Sequence, residues 1–198
     1  PDSSAMPKGA TYARKLFVAT ALMSHSSLRC RPDDRQPEPA GAVPMVGALH
    51  GLKVIELAGH STQYCGKLFA DLGAEVTLVE PPCGSPARRD GPFLDDDAHV
   101  EASLSFAYFN AGKRGIALDL DTSEGRGMLR RLAAAADLLI ESGKPGDMDS
   151  RGLAWARLSA LNPRLVMTSI TPFGQSGPYA HYEAEDIVAL ALGGLLYL

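Results

Sequence analysis

Residues that suit a phosphate-bearing ligand recur along the chain at points that follow a predicted strand. In sequence order they are Gly59, His60 and Ser61, then Arg88 and Arg89, then Ser142 and Gly143, and finally Thr171. Arginine can form paired hydrogen bonds with phosphate oxygens, and small residues leave backbone N–H groups open to an anion. These residue types in this arrangement therefore favour a site for a ligand that carries phosphate groups.

The same residues also have less specific interpretations. Arg88 and Arg89 are either a phosphate clamp or a pair of arginines exposed to solvent. His60 is either a ligand contact or general base, or it has no direct chemical role. The latter is favoured because no nucleophile with an orienting partner stands beside it. The three adjacent aspartates at residues 95–97 are more typical of a solvated turn than of a metal site, so no metal is predicted.

Five strands must position these side chains. They are predicted at residues 53–57, 75–80, 115–120, 137–141 and 165–170. Helices are predicted at residues 64–72, 103–110, 123–136, 155–161 and 184–192. Strands that alternate with helices indicate an α/β fold with a mostly parallel sheet, and the carboxyl ends of parallel strands bring their loops to one edge.

A dinucleotide site is the first alternative for such an edge. The first strand, glycine turn, helix and second strand end on Glu80, which imitates the acidic residue of nicotinamide-binding folds. However, the turn contains only Gly59 and Gly66, and the pattern GxGxxG is missing. Because that motif requires all its glycines, a dinucleotide site is disfavoured.

Composition sets the outer limits. The 198 residues include 19 basic and 23 acidic side chains, for a net charge of −4, and 45% are hydrophobic. This predicts about one domain, with neither a basic nucleic-acid surface nor a membrane span. Three widely spaced cysteines, Cys30, Cys65 and Cys83, form no CxxC pair, which predicts a reducing, cytoplasmic location.

The first part of the chain differs from the rest. Residues 1–48 are rich in proline and serine and are predicted to form an irregular leader or linker, with the ordered domain at residues 49–198. Met45 is the expected natural start. The apolar run before Leu198 leads us to expect a fragment of a longer protein.

The ordered region resembles the family III CoA-transferases, which include formyl-CoA transferase and the alpha-methylacyl-CoA racemases. The resemblance rests on the order and spacing of seven segments. They are GLKVIEL (51–57), LFADLGAEVTLVEPP (68–82), GSPARRDGPF (84–93), FNAGKRGIALDL (109–120), ADLLIE (136–141), LNPRLVMTSITPFGQSGPY (161–179) and AEDIVALALGG (184–194).

This resemblance implies a Rossmann-like domain, the N-terminal part of a chain about twice as long, in an interlocked homodimer. It implies that an acyl-CoA and a free carboxylic acid are the substrates, with CoA along the strand ends. The implied CoA contacts are His60, Ser61, Arg88 or Arg89, Asn110, Ala111, Gly112, Lys113, Ser142, Gly143, Arg151 and Thr171. Two positions depart from the family: Ser142-Gly143 replaces a pair such as Asn-Phe, and Thr171 stands where formyl-CoA transferase has a lysine.

The resemblance also implies an aspartate nucleophile, which forms a mixed anhydride and then an aspartyl-CoA thioester. By alignment that aspartate falls after Leu198. Two alternatives stay open. One is an alpha-methylacyl-CoA racemase or epimerase, disfavoured because Glu185 occupies the position of the racemase histidine. The other is a non-catalytic CoA-binding remnant.

Overall fold

A computed structural model describes residues 47–197. Residues 1–46 of the predicted leader therefore lie outside the described part of the chain. The sheet has five strands: β1 (Lys53–Leu57), β2 (Glu75–Glu80), β3 (Arg114–Ala117), β4 (Leu138–Glu141) and β5 (Val166–Ser169). Their spatial order is β3-β2-β1-β4-β5, and every neighbouring pair is parallel. The predicted α/β fold with a parallel sheet is confirmed.

Within residues 47–197, six helices connect or follow the strands. They are α1 (Gln63–Asp71), α2 (Leu104–Asn110), α3 (Ser123–Ala133), α4 (Asp147–Ser150), α5 (Trp155–Leu161) and α6 (Asp186–Leu192). Short 3₁₀ turns occupy Pro86–Arg89, Leu94–Asp96 and Leu195–Tyr197. The sequence did not predict α4, because a single turn is too short to show a helical period.

Both faces of the sheet are buried, which is why its strands are short apolar runs. Ile55, Val79 and Leu139 pack on one face against residues of α3 and α5, including Leu129 and Leu158. The alternate residues Val54, Val76 and Ile140 pack on the other face against α1. The result is a three-layer arrangement in which helices cover a central sheet.

Strand β3 is shorter than predicted because its neighbour in the sheet, β2, ends at Glu80. Its four residues pair with Thr77–Glu80, and β2 itself stops at Glu80. The chain beyond Ala117 therefore turns toward α3 instead of extending the ladder to residue 120. At the start of α3, the Thr122 hydroxyl accepts a hydrogen bond from the backbone N–H of Gly125 at 3.1 Å, as expected for a helix cap.

The direction of the connections reverses at β1. From β1 the chain moves outward to β2 and β3, then returns to β4 on the other side of β1 and moves outward again to β5. The loops after β1 and β4 consequently leave the sheet in opposite directions. In open α/β sheets, such a reversal forms a crevice at the carboxyl ends of the strands, where ligands bind. No helix in residues 47–197 is long and apolar enough to cross a membrane.

Candidate functional site

The loops after β1 and β4 meet at the crevice. A Cβ atom on Gly59 would overlap the Ser142 hydroxyl, so the two loops approach each other closely at this point. The buried Thr62 hydroxyl lies 3.0 Å from each of the backbone carbonyls of Leu57 and Gly59, which fixes the path of the β1–α1 loop. His60 and Ser61 lie exposed between these fixed points.

A polar contact joins the first loop to the segment after β2. His60 Nδ1 lies 3.1 Å from Asp90 Oδ2, and both side chains are about half exposed, at 54% and 48%. Because both remain open to solvent, a ligand could compete for either side chain. Asp90 was not among the predicted site residues.

The two predicted arginines have opposite surroundings. Arg88 is 3% exposed. It donates from Nε to Glu80 Oε2 at 2.6 Å and from a terminal nitrogen to Glu80 Oε1 at 2.9 Å. It also contacts Glu101 at 3.4 Å, and its guanidinium carbon lies 3.9 Å from the ring centre of Phe106. Arg89 is exposed.

The bidentate pair of Arg88 and Glu80 also gives Glu80 a structural role. Glu80 is the residue that imitates the acidic residue of a dinucleotide site. Both of its oxygens already accept hydrogen bonds from Arg88, and Oε2 accepts another from the backbone N–H of Ser85 at 2.9 Å. Glu80 therefore anchors the segment after β2. The interpretation of Arg88 as a surface residue is excluded by its burial, whereas it holds for Arg89.

Lys113 and Asn110 lie in a buried polar cluster beneath α1. Lys113 Nζ is 2.7 Å from Glu56 Oε2, 2.9 Å from Asn110 Oδ1 and 2.9 Å from the backbone carbonyl of Gln63. Burial lowers the pKa of the Lys113 amine, and the attraction of Glu56 opposes that shift. Between them, Ala111 and Gly112 form an exposed turn, with Gly112 at a φ of 80°.

The remaining predicted residues follow β4 and β5. Ser142 and Gly143 are half-buried, and the backbone N–H of Gly143 donates to Glu141 Oε2 at 2.6 Å. The Thr171 hydroxyl is buried without a hydrogen-bond partner among residues 47–197.

Arg151 directly follows α4, at the edge of the sheet formed by the carboxyl ends of the strands. It pairs with Asp121 at 3.3 Å and with Asp147 at 3.2 Å, and it retains 31% exposure. A partly exposed guanidinium held by two carboxylates at this edge can exchange one of them for a ligand phosphate.

A cavity of about 210 Å³ opens beside this crevice, at the ends of β4 and β5. Its apolar wall includes Met148, Trp155 and Met167, and its polar lining includes Lys144 and Ser169. It contains none of the predicted CoA contacts. Within the described part of the chain, no group of three or more histidine, cysteine or acidic side chains could hold a metal ion.

The structure thus gathers the loop residues His60, Ser61, Ser142 and Gly143 at the crevice and places Asn110 and Lys113 beneath it. Sequence reasoning missed the acidic partners Glu56, Asp90 and Asp121. Only Glu56 had a visible signal, since a charged residue in the apolar run VIEL of β1 requires a buried partner.

Comparison with known proteins agrees with this architecture. The sequence model of the protein family described as CoA-transferase family III matches residues 49–198. The chain is 48% identical, over 146 residues, to a Thauera aromatica protein named succinyl-CoA:(R)-benzylsuccinate CoA-transferase subunit BbsE, covering 74% of this chain and 36% of the relative. It is 41% identical, over 153 residues, to the succinate–glutarate CoA-transferase of Agrobacterium fabrum, covering 75% and 38%.

Among solved structures, a CAIB/BAIF family protein from Brucella suis superposes with a TM-score of 0.70 at 40% identity. That match covers 77% of this chain and 41% of the other. The chain therefore spans well under half the length of the relatives it matches. Sequence and fold agree over the same region, and the chain belongs to CoA-transferase family III.

Proposed function

We propose that residues 49–198 form the CoA-binding N-terminal part of an acyl-CoA:carboxylate CoA-transferase. The observation that carries this proposal is the meeting of Gly59 and Ser142 at the reversal point of the sheet. The two loops meet at a crevice with accessible small residues and nearby cations, which suits the phosphate groups of CoA.

The exposed residues at this edge would contact the ligand. Arg89 and Arg151 would bind phosphate oxygens, and His60 and Ser61 would lie at the adenosine end. The backbone of Ser142 and Gly143 would face the ligand, as would the exposed turn at Ala111 and Gly112. The Thr171 hydroxyl, which is buried without a partner within the described residues, would have to turn toward the ligand to donate to it.

Transfer would proceed through an aspartate that the family resemblance places beyond Leu198. Its carboxylate would attack the thioester carbonyl, and the C–S bond would break to give a mixed anhydride and the CoA thiolate. The thiolate would then attack the aspartyl carbonyl, release the donor acid and form an aspartyl-CoA thioester. The acceptor carboxylate would attack that thioester, which would break the C–S bond and give a second mixed anhydride and the CoA thiolate. The thiolate would then attack the acyl carbonyl of the acceptor, which would form the new acyl-CoA and release the aspartate carboxylate.

Names of the relatives narrow the substrate class. The two relatives described above are named for succinyl-CoA or succinate. Succinyl-CoA is therefore the first donor to test, with a second carboxylic acid as acceptor. A homodimer is part of the same proposal. The racemase alternative is disfavoured because Glu185, exposed just before α6, stands where the racemase histidine is expected.

Calorimetric titration of CoA into the 198-residue chain tests the binding step. We expect binding that weakens about tenfold or more in Arg89→Met or Arg151→Met, since a hydrogen bond to a charged group contributes roughly 1.5–3 kcal/mol. Arg131→Met, an exposed arginine on α3, is the matched control and should bind as wild type. Equal losses in all three variants, or no binding by the wild-type chain, would contradict the proposed site.

A hybrid enzyme tests the transfer step. Residues 49–198 would replace the matching segment of the Agrobacterium succinate–glutarate CoA-transferase, to which this chain is 41% identical. We expect the folded hybrid to transfer CoA from succinyl-CoA to glutarate and to lose that activity with Arg151→Met. A folded hybrid that binds CoA without transferring it would support the binding remnant instead.

A further inference from the structure

The surroundings of Lys113 leave no donor for a ligand. An ammonium group has three N–H donors. In the structure two of them face the Asn110 side-chain oxygen and the Gln63 carbonyl, each at 2.9 Å, and the third faces Glu56 at 2.7 Å. The Lys113 side chain is only 1% exposed. A phosphate could reach this amine only if the cluster came apart.

The charged partner of the Glu56 carboxylate is Lys113. The carboxylate is fully buried, and neither oxygen makes a hydrogen bond of good angle with the described residues. Its close contact is the ion pair with Lys113. A Cβ on Gly66 would overlap Glu56 Oε2, so α1 packs directly onto this carboxylate through a glycine. Loss of the lysine would leave an unpaired charge beneath the first turn of α1, which is strongly unfavourable.

The cluster connects four elements around one loop. Glu56 belongs to β1, Gln63 begins α1, Asn110 ends α2, and Lys113 directly precedes β3. Asn110 also donates to the Gln63 side-chain oxygen at 3.3 Å and to the Phe106 carbonyl at 2.9 Å. Residues 58–62, which include His60 and Ser61, span the interval between Glu56 and Gln63. Lys113 therefore holds both ends of the β1–α1 loop, through Glu56 at one end and Gln63 at the other.

We propose that Lys113 is a positioning residue, which together with Glu56 fixes the β1–α1 loop for CoA and does not itself contact the ligand. This inference rests on the proposed function, because CoA is its ligand. It assigns a different role to Lys113 from the direct contact implied by the family resemblance. The consequence is that removing the lysine charge should disorder the loop, and that removing both buried charges together should restore it.

The experiment compares Lys113→Met with the double variant Glu56→Gln/Lys113→Met in the 198-residue chain. Two quantities are measured: hydrogen–deuterium exchange of the backbone amides in residues 58–66, and the Kd for CoA by calorimetry. Lys53→Met is the matched control, because Lys53 is an exposed lysine at the opposite end of β1. It should change neither quantity.

For Lys113→Met we expect amide exchange in residues 58–66 to rise, and CoA binding to weaken, by about tenfold or more in each case, because an unpaired buried carboxylate remains. The double variant removes both charges of this cluster, so both quantities should return to within about threefold of wild type. If Lys113→Met does not fold, the double variant alone decides: near-wild-type CoA affinity supports the positioning role.

Two results would overturn the inference. One is a double variant whose loop is protected but whose CoA affinity is lost, which would make Lys113 a direct phosphate ligand. The other is a folded Lys113→Met variant with unchanged exchange in residues 58–66. Failure of the proposed function is a separate result: the wild-type chain would not bind CoA, while the exchange comparison would still test whether Lys113 positions the loop.

Discussion

At the scale of single residues, neighbouring arginines show how burial divides structural from binding roles. Arg88 is enclosed by Glu80, Glu101 and Phe106, whereas Arg89 is exposed. A buried bidentate pair fixes the geometry of its loop, while an exposed guanidinium can approach a ligand. Substitution of the two residues should therefore affect different properties.

We predict that Arg88→Met lowers the free energy of unfolding by about 3–5 kcal/mol, because it leaves the buried Glu80 carboxylate without its charge partner. Arg89→Met should change that free energy by only about 0.5 kcal/mol or less, as exposed substitutions do. Urea denaturation of both variants measures the difference. If Arg88→Met changed the free energy of unfolding as little as Arg89→Met does, the ion pair between Arg88 and Glu80 would contribute little to stability.

Thiol chemistry gives a second prediction at this scale. Burial and the nearby Glu56 carboxylate raise the pKa of the Cys65 thiol, against a smaller opposing effect of Lys113. Cys83 is exposed. Because the thiolate is the reactive form, Cys65 should react with iodoacetamide more slowly than Cys83, and its rate should keep rising at pH values above the ordinary thiol pKa of 9.0.

A Cys30→Ser background isolates these two thiols, and peptide mass spectrometry follows each one separately. The raised pKa of Cys65 means that its thiolate fraction remains small at pH 8 and becomes large only above pH 9.0. Faster modification of Cys65 than of Cys83 at pH 8 would be incompatible with its burial.

The sequence predicted which residue types gather at the strand ends, but it did not predict which of them would be buried. Arg88 and Arg89 are identical and adjacent, and only the fold determines which one faces Glu80. Lys113 and Glu56 are far apart in the chain, so their pairing depends on the β3-β2-β1 order of the sheet. Pairings of this kind arise from tertiary structure, which a motif does not encode.

At the scale of elements, the predictions succeeded where local pattern and burial coincide. Strands β1 and β2 have the predicted bounds because their apolar runs are buried on both faces. Differences occur where a neighbour limits the element, as for β3, or where one helical turn carries no period, as for α4. The expectation that the candidate site lies at the carboxyl edge followed from the predicted parallel strands, whereas the contact between Gly59 and Ser142 could not be predicted.

Two glycines of α3 allow a matched test of packing at this scale. A Cβ on Gly125 would overlap the backbone oxygen of Asp119, whereas a Cβ on Gly127 would meet nothing within 4 Å. Gly125→Ala should therefore destabilise the protein by about 1–3 kcal/mol, because backbone atoms must shift. Gly127→Ala should stabilise it by about 0.5–1 kcal/mol, since alanine favours the helix interior.

Thermal unfolding of both variants provides the measurement. The two changes add the same methyl group to the same helix, so differences in helix propensity alone would give both the same sign. Opposite shifts in Tm would attribute the difference to the contact with Asp119. An increase in Tm for both variants would show that the β3–α3 loop can move away from α3 without cost.

At the scale of the whole molecule, burial is uneven. Both faces of the central sheet are covered, yet the end of the described chain exposes a continuous run of apolar side chains. In α6 and the turn after it, the most exposed large apolar residues are Ile187 at 64%, Leu192 at 70%, Leu195 at 59%, Leu196 at 57% and Tyr197 at 95%. Exposed apolar side chains grouped in this way favour association.

We therefore predict that the 198-residue chain associates as its concentration rises, and that Leu192→Lys/Leu195→Lys shifts it toward the monomer. Sedimentation velocity over a range of concentrations measures the shift. The control is Leu161→Lys at the end of α5, where a leucine is similarly exposed, at 53%, but lies outside the α6 run. Each added lysine brings the net charge of −4 closer to zero, so any effect of net charge alone should appear in the control as well. A selective effect at Leu192 and Leu195 would assign association to this face, whereas a chain that stays monomeric at every concentration would show that these side chains tolerate water without a partner.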